Sequence, residues 1–138
     1  ITPLADSRGL LPPPVDEPVA HAFGATYGGG SLMRKGLSYE PNPGNPVRAI
    51  YPGRGVFADW LRGSGLLIVL DHGQGYMSLY AHNEALTVNS GDWVDAGEML
   101  ARSGTNSSDR NVGLYFEIRR NGEPQDPTAW LRPAPSQL

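Results

Sequence analysis

The residues that could do chemistry in this chain are few and scattered. The histidines are His21, His72 and His82, and there is no cysteine. A catalytic zinc ion needs about three nitrogen, oxygen or sulfur ligands converging on one point, and these histidines alone do not supply them. His72 lies in an Asp-His-Gly-Gln-Gly stretch, where we expect it to hydrogen-bond the turn. Taken singly, His82 and His21 are expected to have structural or surface roles.

Other kinds of catalysis find no better support. No serine sits in a nucleophile elbow, and without cysteine there is no thiol chemistry. The carboxylates show no spacing that would pair two of them across a cleft, as glycoside cleavage requires. Individual residues therefore assign no reaction.

One stretch, residues 113–122, combines aromatic, acidic and basic side chains in a regular pattern. An apolar row alternates with a polar row, which predicts a strand with one buried face: Leu114, Phe116 and Ile118 against Tyr115, Glu117 and Arg119. Asn121-Gly122 then predicts a tight turn, because both residues tolerate positive φ. The polar row could be a ladder of cross-strand pairs, or it could line a site.

The elements that must position these residues are short strands. The 18 glycines and 13 prolines punctuate apolar runs rather than forming tracts, which predicts turns between at least six strands in one all-β domain. Strands are predicted over 47–51, 55–61, 66–70 and 76–82, and the apolar run 66–70 is expected to be buried on both faces. The glycine-rich residues 23–30 are interpreted as a flexible connection.

The predicted organisation is an extended proline-rich lead-in over residues 1–20, a folded domain over 21–132 and a flexible tail over 133–138, with a polar loop at 105–111. The chain begins at Ile1 and is expected to be a mature or truncated piece of a longer protein. A net charge of −3 argues against nucleic acid as a partner. No apolar run approaches the length that spans a membrane.

Several motifs together resemble one family. They are Arg-Lys-Gly-Leu-Ser at 34–38, His-Gly-Gln-Gly-Tyr at 72–76, Tyr-Ala-His at 80–82, Gly-Asp-Trp-Val-Asp-Ala-Gly at 91–97 and Gly-Leu-Tyr-Phe-Glu at 113–117. In order and spacing they resemble the LytM (lysostaphin-type) zinc metallopeptidase domain. The resemblance implies an antiparallel β-sandwich with an open groove. The runs at 58–63, 76–80, 114–122 and 130–131 are more closely similar to the LytM domain of EnvC-type murein hydrolase activators.

The departures from that family fall on its zinc site. Active members bind zinc through a His-x-x-x-Asp pair and the last His of His-x-His; the resemblance places Arg34, Ser38 and Tyr115 at those positions. Gly113 takes the place of a catalytic histidine, and only His82 is retained. An arginine remains protonated and repels a cation. The resemblance with these losses implies no metal, no cofactor and no peptide hydrolysis.

A peptidase groove without metal can still bind a partner. The residues expected to form it mix aromatic, cationic and polar groups, as protein-binding hot spots do: Arg34, Lys35, Ser38, Ser64, Tyr80, His82, Tyr115, Glu117 and Arg119. The resemblance implies that the partner is the regulatory helix of a periplasmic N-acetylmuramoyl-L-alanine amidase, activated for septal peptidoglycan splitting during cell division. It also implies a division-site membrane complex contacted through an N-terminal coiled coil outside this chain.

Other interpretations stay open at this point. A degenerate domain of this family could bind peptidoglycan directly, with the groove retaining its strands. A weak zinc endopeptidase is a further alternative. The related NlpD-type activators share the same motifs, so the residues alone do not separate them from EnvC-type activators.

Overall fold

The structure, a computed structural model, describes residues 3–40, 42–104 and 113–133. The predicted loop at 105–111 and most of the predicted tail lie outside the described residues. Two short 3-10 turns, Leu4–Ser7 and Pro127–Ala129, accompany the strands. The strands are β1 Val19–His21, β2 Thr26–Tyr27, β3 Leu32–Met33, β4 Leu37–Tyr39, β5 Pro46–Arg48, β6 Gly53–Leu61, β7 Gly65–Gly73, β8 Tyr76–Leu86, β9 Trp93–Val94, β10 Met99–Ser103, β11 Tyr115–Arg120 and β12 Glu123–Gln125.

The all-β, antiparallel prediction is confirmed. The main sheet runs in the order β1-β4-β11-β8-β7-β6-β9, and β12 continues from β11 as a hairpin. β10 pairs with the C-terminal half of β8 and with β5, so the sheet branches at β8. β8 therefore belongs to both arms of the sheet, and the core draws residues from both, among them Leu100 and Ala101 of β10 and Phe116 and Ile118 of β11.

β11 has the orientation that its alternation predicts. Leu114, Phe116 and Ile118 are fully buried in the core. Asn121 and Gly122 make the β11–β12 turn with φ of 50° and 81°, which is the backbone that the Asn-Gly pair predicts.

In β8 the face that carries hydroxyl groups is buried, which is the reverse of what its hydrophobicity pattern suggests. Tyr80 and Ser78 are completely buried, while Met77, on the opposite face, is exposed. Buried hydroxyls are tolerated where they are hydrogen-bonded. Ser78 Oγ lies 2.8 Å from Tyr80 Oη, and the Ile50 N–H donates to Tyr80 Oη at 3.2 Å. Tyr80 therefore belongs to the core.

His72 completes this buried chain, and the prediction that it bonds its own turn is wrong. It lies inside β7, and the turn consists of Gln74 and Gly75. Its Nδ1 lies 2.8 Å from the carbonyl oxygen of Pro52, so Nδ1 carries the proton and donates. Nε2 then accepts from Ser78 Oγ at 2.6 Å.

Residues 1–20 do more than lead into the domain. Leu4, Leu11 and Val15 are buried in the core, and Leu11 bridges to Leu131 near the other end of the chain. β1 pairs with β4 and forms the edge of the main sheet. The packed unit therefore includes residues before the predicted boundary.

Two further predictions change. The 23–30 segment contains β2 and leads into β3, and the two form a separate small hairpin rather than a flexible connection. β7 is buried on both faces only in part: Ile68 and Leu70 enter the core and Leu67 on the other face is also buried, but Val69 on that face is only half-buried. That second face of the sheet is thus partly open, and the candidate site lies at one end of it.

The last described residues are anchored by the 3-10 turn Pro127–Ala129. Asp126 accepts a hydrogen bond from the Thr128 N–H at 3.0 Å, with Pro127 in the first turn. Trp130 and Leu131 are buried. Among the described residues, no helix has the length and apolar character needed to cross a membrane.

Candidate functional site

The candidate site is a cavity of about 350 Å³ at the end of β11. The hairpin β2–β3 and the residues after it form one wall, and the β6–β7 turn forms the other. β8 and β11 supply the floor. Its lining residues are Tyr27, Met33, Arg34, Lys35, Gly63, Ser64, His82 and Tyr115.

A break in the regularity of β8 brings His82 to this cavity. The β7–β8 register shifts between the pairs Leu66–Asn83 and Ile68–Tyr80, and His82 has a φ of 66°. An extra residue of this kind re-aims the side chains around it. Asn83 fixes the irregularity by donating from Nδ2 to the carbonyl oxygens of Leu66 and Tyr80, both at 3.0 Å.

The other side of the floor is formed by Tyr115, whose position is fixed by Glu117. Its hydroxyl donates to Glu117 Oε2 at 2.6 Å, and Arg119 Nε donates to Glu117 Oε1 at 2.6 Å. Burial, together with the hydrogen bond to the Glu117 carboxylate, raises the pKa of Tyr115. The phenol therefore stays neutral and donates. The centroids of the Tyr115 and His82 rings are 6.5 Å apart, with the ring planes at 64°.

Two cations face this floor from the hairpin wall. The guanidinium carbon of Arg34 lies 4.9 Å from the ring centroid of Tyr27, within range of a cation–π interaction. Backbone bonds on both sides of Arg34 tie it to the hairpin, to Ala25 at 2.9 Å and to Gly24 at 2.8 Å. Lys35 lines the same cavity. The cavity is therefore cationic and aromatic.

Eight of the nine residues that the sequence proposes divide into three groups. Arg34, Lys35, Ser64, His82 and Tyr115 line the cavity. Ser38 and Glu117 are buried beside it, with Ser38 directly across from Tyr115 in the β4–β11 register. Arg119 lies farther along β11 and is half-exposed; its ion pair with Glu117 runs along the strand and not across it.

Tyr80 must be removed from the groove. It is the register partner of Phe116, its exposure is 0%, and both rings point into the core. The error comes from assuming one unbroken alternation from Tyr80 to His82. The irregularity at His82 places these two side chains on different faces.

Sequence reasoning missed Tyr27, Met33 and Gly63. For Tyr27 and Met33 a signal exists: two short runs flank Gly28-Gly29-Gly30, and a glycine-containing connection of this length is typical of a hairpin. Gly63 belongs to the same turn as Ser64, so identifying one wall residue would have identified the other.

The family described as Peptidase family M23 matches residues 32–127, more than half of the chain. The chain belongs to peptidase family M23. The match begins at β3 and ends in the 3-10 turn after β12, so it contains the whole candidate site except part of the hairpin wall.

Curated relatives of this M23 domain include activators. "Murein hydrolase activator EnvC" from Escherichia coli (strain K12) is 41% identical over 93% of this chain and 30% of its own length. "Murein hydrolase activator NlpD" from Salmonella typhimurium is 36% identical over 86% of this chain and 30% of its own length. The chain thus spans about 30% of the length of these relatives.

Solved structures confirm the predicted lysostaphin-type fold. The antimicrobial peptidase lysostaphin from Staphylococcus simulans superposes with a TM-score of 0.71 and 30% identity, over 81% of this chain and 48% of that one. A zinc-containing peptidase from Vibrio cholerae gives a TM-score of 0.80 at 21% identity, over 91% and 41% of the two chains. The second similarity concerns the fold alone.

The zinc ion that the family implies does not fit the side chains of this M23 domain. At the positions that correspond to ligands by resemblance, the Arg34 guanidinium is a cation and the Tyr115 phenol is protonated and committed to Glu117. Zinc prefers thiolate, imidazole and carboxylate ligands. Within the described ranges no three His, Cys, Asp or Glu side chains converge to hold a metal.

The position of the family's helper histidine is also closed. A Cβ added at Gly113 would lie 2.6 Å from the carbonyl oxygen of Tyr39 and 2.7 Å from that of Glu40. Neither contact can be relieved by a side-chain rotation, because both atoms are backbone. A histidine at residue 113 would require the backbone of β4 or β11 to move.

Proposed function

We propose that this M23 domain is non-catalytic and that it binds and activates a periplasmic N-acetylmuramoyl-L-alanine amidase. Its groove would engage the regulatory helix of the amidase and free the amidase active site for septal peptidoglycan splitting. In the longer protein, a coiled coil outside this chain would contact the division-site membrane complex.

The observation that carries the proposal is the conversion of the zinc site. Arg34 and Tyr115 lie in one cavity with Lys35 and His82, where the fold family places metal chemistry. A cation and a neutral phenol cannot generate the zinc hydroxide that hydrolysis needs. Arginine and tyrosine are, however, the side chains that protein-binding hot spots favour. The relatives named as murein hydrolase activators support the same assignment.

The activation itself requires differential binding. A domain that binds only the open form of a closed amidase shifts the equilibrium toward that form. Moving such an equilibrium from mostly closed to mostly open needs about 5 kcal/mol of difference in affinity. The charged and aromatic groups of the cavity, presented on a fixed sheet, can discriminate between a displaced helix and a docked one.

The first test measures dye release from labelled murein by a purified N-acetylmuramoyl-L-alanine amidase, with and without this chain. We expect stimulation by the wild-type chain and a loss of about tenfold or more in Tyr115→Ala and Lys35→Asp, since each removes a contact of hot-spot type. Leu10→Ala is the control, because Leu10 is exposed outside the site.

Three outcomes contradict the proposal. One is no stimulation by the wild-type chain, and another is stimulation that both groove variants retain. The third is stoichiometric zinc in the purified chain with murein cleavage in the absence of amidase, which would establish the endopeptidase alternative. Retention of the chain on purified sacculi without amidase, lost in Tyr115→Ala, would instead favour the peptidoglycan-binding alternative.

A further inference from the structure

A second cavity lies beside β5, on the other arm of the sheet. It has a volume of about 790 Å³ and shares no lining residue with the candidate site. Two stretches that are distant in the chain, within residues 12–17 and 42–48, form its walls together with Arg132. Its volume lies within the range of about 300–1,000 Å³ that is typical of small-molecule sites.

Backbone hydrogen bonds hold the frame of this second cavity. The Arg48 N–H donates to the Pro14 carbonyl at 2.8 Å, and the Arg132 N–H donates to the Leu11 carbonyl at 2.7 Å. The N-terminal segment is thus bonded both to β5 and to the C-terminal segment. Residues 12–14 are all proline, so their φ angles are fixed. A site built on such a segment loses little conformational entropy when a ligand binds.

The second cavity carries charges of both signs that do not neutralise one another. Two carboxylates and two guanidinium groups line it, those of Asp16, Glu17, Arg48 and Arg132. Within residues 3–40, 42–104 and 113–133, none of these four forms an ion pair with another. Opposite charges that are held apart in one cavity can each bind a group of a single ligand that carries both signs.

Glu17 is a preorganised hydrogen-bond acceptor. The side-chain amides of Asn42 and Asn45 both donate to its Oε1 atom. Its Oε2 atom makes no hydrogen bond to any residue that the structure describes. The carboxylate is therefore fixed through one oxygen, while the other can accept from a cationic group in the cavity. Charge-assisted hydrogen bonds of this kind are stronger than neutral ones.

The guanidinium groups supply the complementary charge. Arg48 is anchored, because one of its Nη atoms donates to the Gly97 carbonyl oxygen at 3.1 Å. Arg132 is exposed, and its side chain makes no hydrogen bond or ion pair to a described residue. A guanidinium binds a carboxylate through two parallel N–H groups, which fixes its position and orientation. Arg132 is therefore suited to a carboxylate of the ligand.

The remaining lining residues select among ligands that carry both charges. Pro12, Pro13 and Pro46 line the walls with pyrrolidine rings, an apolar surface for small alkyl groups. Prolines have a carbonyl oxygen and no N–H, so this wall accepts hydrogen bonds from amide donors. A single amino acid would fill a small part of the cavity. A peptide of three residues spans about 10 Å and supplies both charged ends, amide N–H groups and small side chains.

We infer that the second cavity binds a short peptide whose ammonium and carboxylate ends are both free. Glu17, with Asp16 beside it, receives the ammonium group, and Arg132 receives the carboxylate. Small side chains of the peptide lie against the proline rings. This site is separate from the groove of the proposed function, and its ligand does not depend on an amidase.

The experiment titrates trialanine into the wild-type chain and follows binding by calorimetry. We expect a dissociation constant of about 0.1–1 mM, which suits a ligand with about 16 non-hydrogen atoms. N-acetyl-trialanine lacks the ammonium group and trialanine amide lacks the carboxylate. Each should bind about tenfold more weakly or worse, because a hydrogen bond to a charged group is lost. Alanine should be similarly weak, because it carries both charges without the length to join their partners.

Two variants connect the charges of the peptide to residues of the cavity. Glu17→Gln should reduce the preference for trialanine over its N-acetyl form and keep the preference over its amide, because only the ammonium group loses its partner. Arg132→Gln should do the reverse. Arg62→Gln and Glu123→Gln remove exposed charges outside the cavity and should bind as wild type does. Thermal unfolding confirms that each variant is folded.

Several results would overturn this inference. One is no binding of trialanine by the wild-type chain, and another is equal affinity for trialanine and either capped form. Wild-type selectivity in both Glu17→Gln and Arg132→Gln would also refute it. Alanine that binds as tightly as trialanine would exclude a peptide as the ligand. Loss of trialanine binding in Tyr115→Ala would place the ligand in the candidate site instead. The amidase measurements are independent of all these outcomes.

Discussion

At the scale of single residues, the converted site depends on a buried carboxylate. Glu117 has a side chain that is only 8% exposed, and its two oxygens accept separate hydrogen bonds from Tyr115 and Arg119. A buried carboxylate is stable only when it is paired and hydrogen-bonded. Glu117 therefore fixes the hydroxyl of Tyr115 in the cavity floor and holds one edge of the Arg119 guanidinium. Tyr115 lines the cavity, and Glu117, which positions it, does not.

Replacing the Glu117 carboxylate should lower the stability of the domain. Glu117→Gln keeps the shape but offers one acceptor oxygen in place of two, which leaves a donor unsatisfied at a cost of about 1–3 kcal/mol. We expect the free energy of unfolding from urea titration to fall by that amount. The same substitution at the exposed Glu123 is the control, and an unchanged stability in Glu117→Gln would contradict this account.

At the scale of elements, the layers are joined by a chain of hydrogen bonds. It runs from the Pro52 carbonyl through His72 of β7 to Ser78 and Tyr80 of β8, and ends at the Ile50 N–H. In this chain the Ile50 N–H donates to Tyr80, Tyr80 to Ser78, Ser78 to His72 Nε2, and His72 Nδ1 to the Pro52 carbonyl. Nε2 can accept a hydrogen bond only if the His72 ring is neutral. Burial lowers the pKa of His72, which favours that neutral form. The segment between β5 and β6 is thereby fastened to the central strands.

This chain predicts a pH dependence. An unfolded histidine titrates near about pH 6.5, while the folded His72 titrates lower. As the pH falls through that value, the unfolded state takes up a proton that the folded state refuses, so the free energy of unfolding decreases. We expect urea midpoints to fall between about pH 7 and pH 5.5 in wild type. The fall should be smaller in His72→Gln, and His21→Gln should behave as wild type because His21 is exposed. Parallel curves for wild type and His72→Gln would refute the assignment.

Close packing between elements also shapes the site. Gly36 lies just before β4, and a Cβ added there would clash with the carbonyl oxygen of Phe116 and lie 2.8 Å from Glu117 Cγ. The backbone between the two cavity cations and Ser38 therefore lies directly against β11. Glycine at this position lets the hairpin wall and the floor approach each other closely.

At the scale of the whole molecule, segments near the two ends of the chain are bonded to each other. The backbone N–H groups of Gly9 and Leu11 donate to the Trp130 carbonyl, at 2.9 and 3.2 Å, and the Arg132 N–H donates to the Leu11 carbonyl at 2.7 Å. Arg8 lies over the Trp130 ring at 5.0 Å. The N-terminal segment contributes Leu4, Leu11 and Val15 to the same core as Phe116 and Ile118 of β11. The cavity therefore rests on a folded unit larger than the segment that the family match covers.

A truncation measures this contribution. Removing residues 1–17 deletes the buried Leu4, Leu11 and Val15, each worth about 1.5–3 kcal/mol of burial. We expect the shortened chain to unfold at a clearly lower urea concentration, or to fail to fold, as followed by circular dichroism. Substituting only the exposed Leu10 by Ser should leave the midpoint unchanged. A truncated chain as stable as the full one would show that the segment is dispensable.

The sequence by itself determined the strand class, the β11–β12 turn and the buried row of β11. These depend on local periodicity and on the φ tolerance of Asn121 and Gly122, which can be recognised without the fold. The placement of Arg34 and Tyr115 at zinc-ligand positions came from the resemblance to the family. The tertiary structure alone decided that Tyr80 lies in the core and His82 in the cavity, because one irregularity in β8 changes the face on which later residues appear. It also decided that Leu4 is core, and that Val69 lies on an open face. Burial depends on which distant segments pack against a residue, and a local sequence pattern carries no information about those segments.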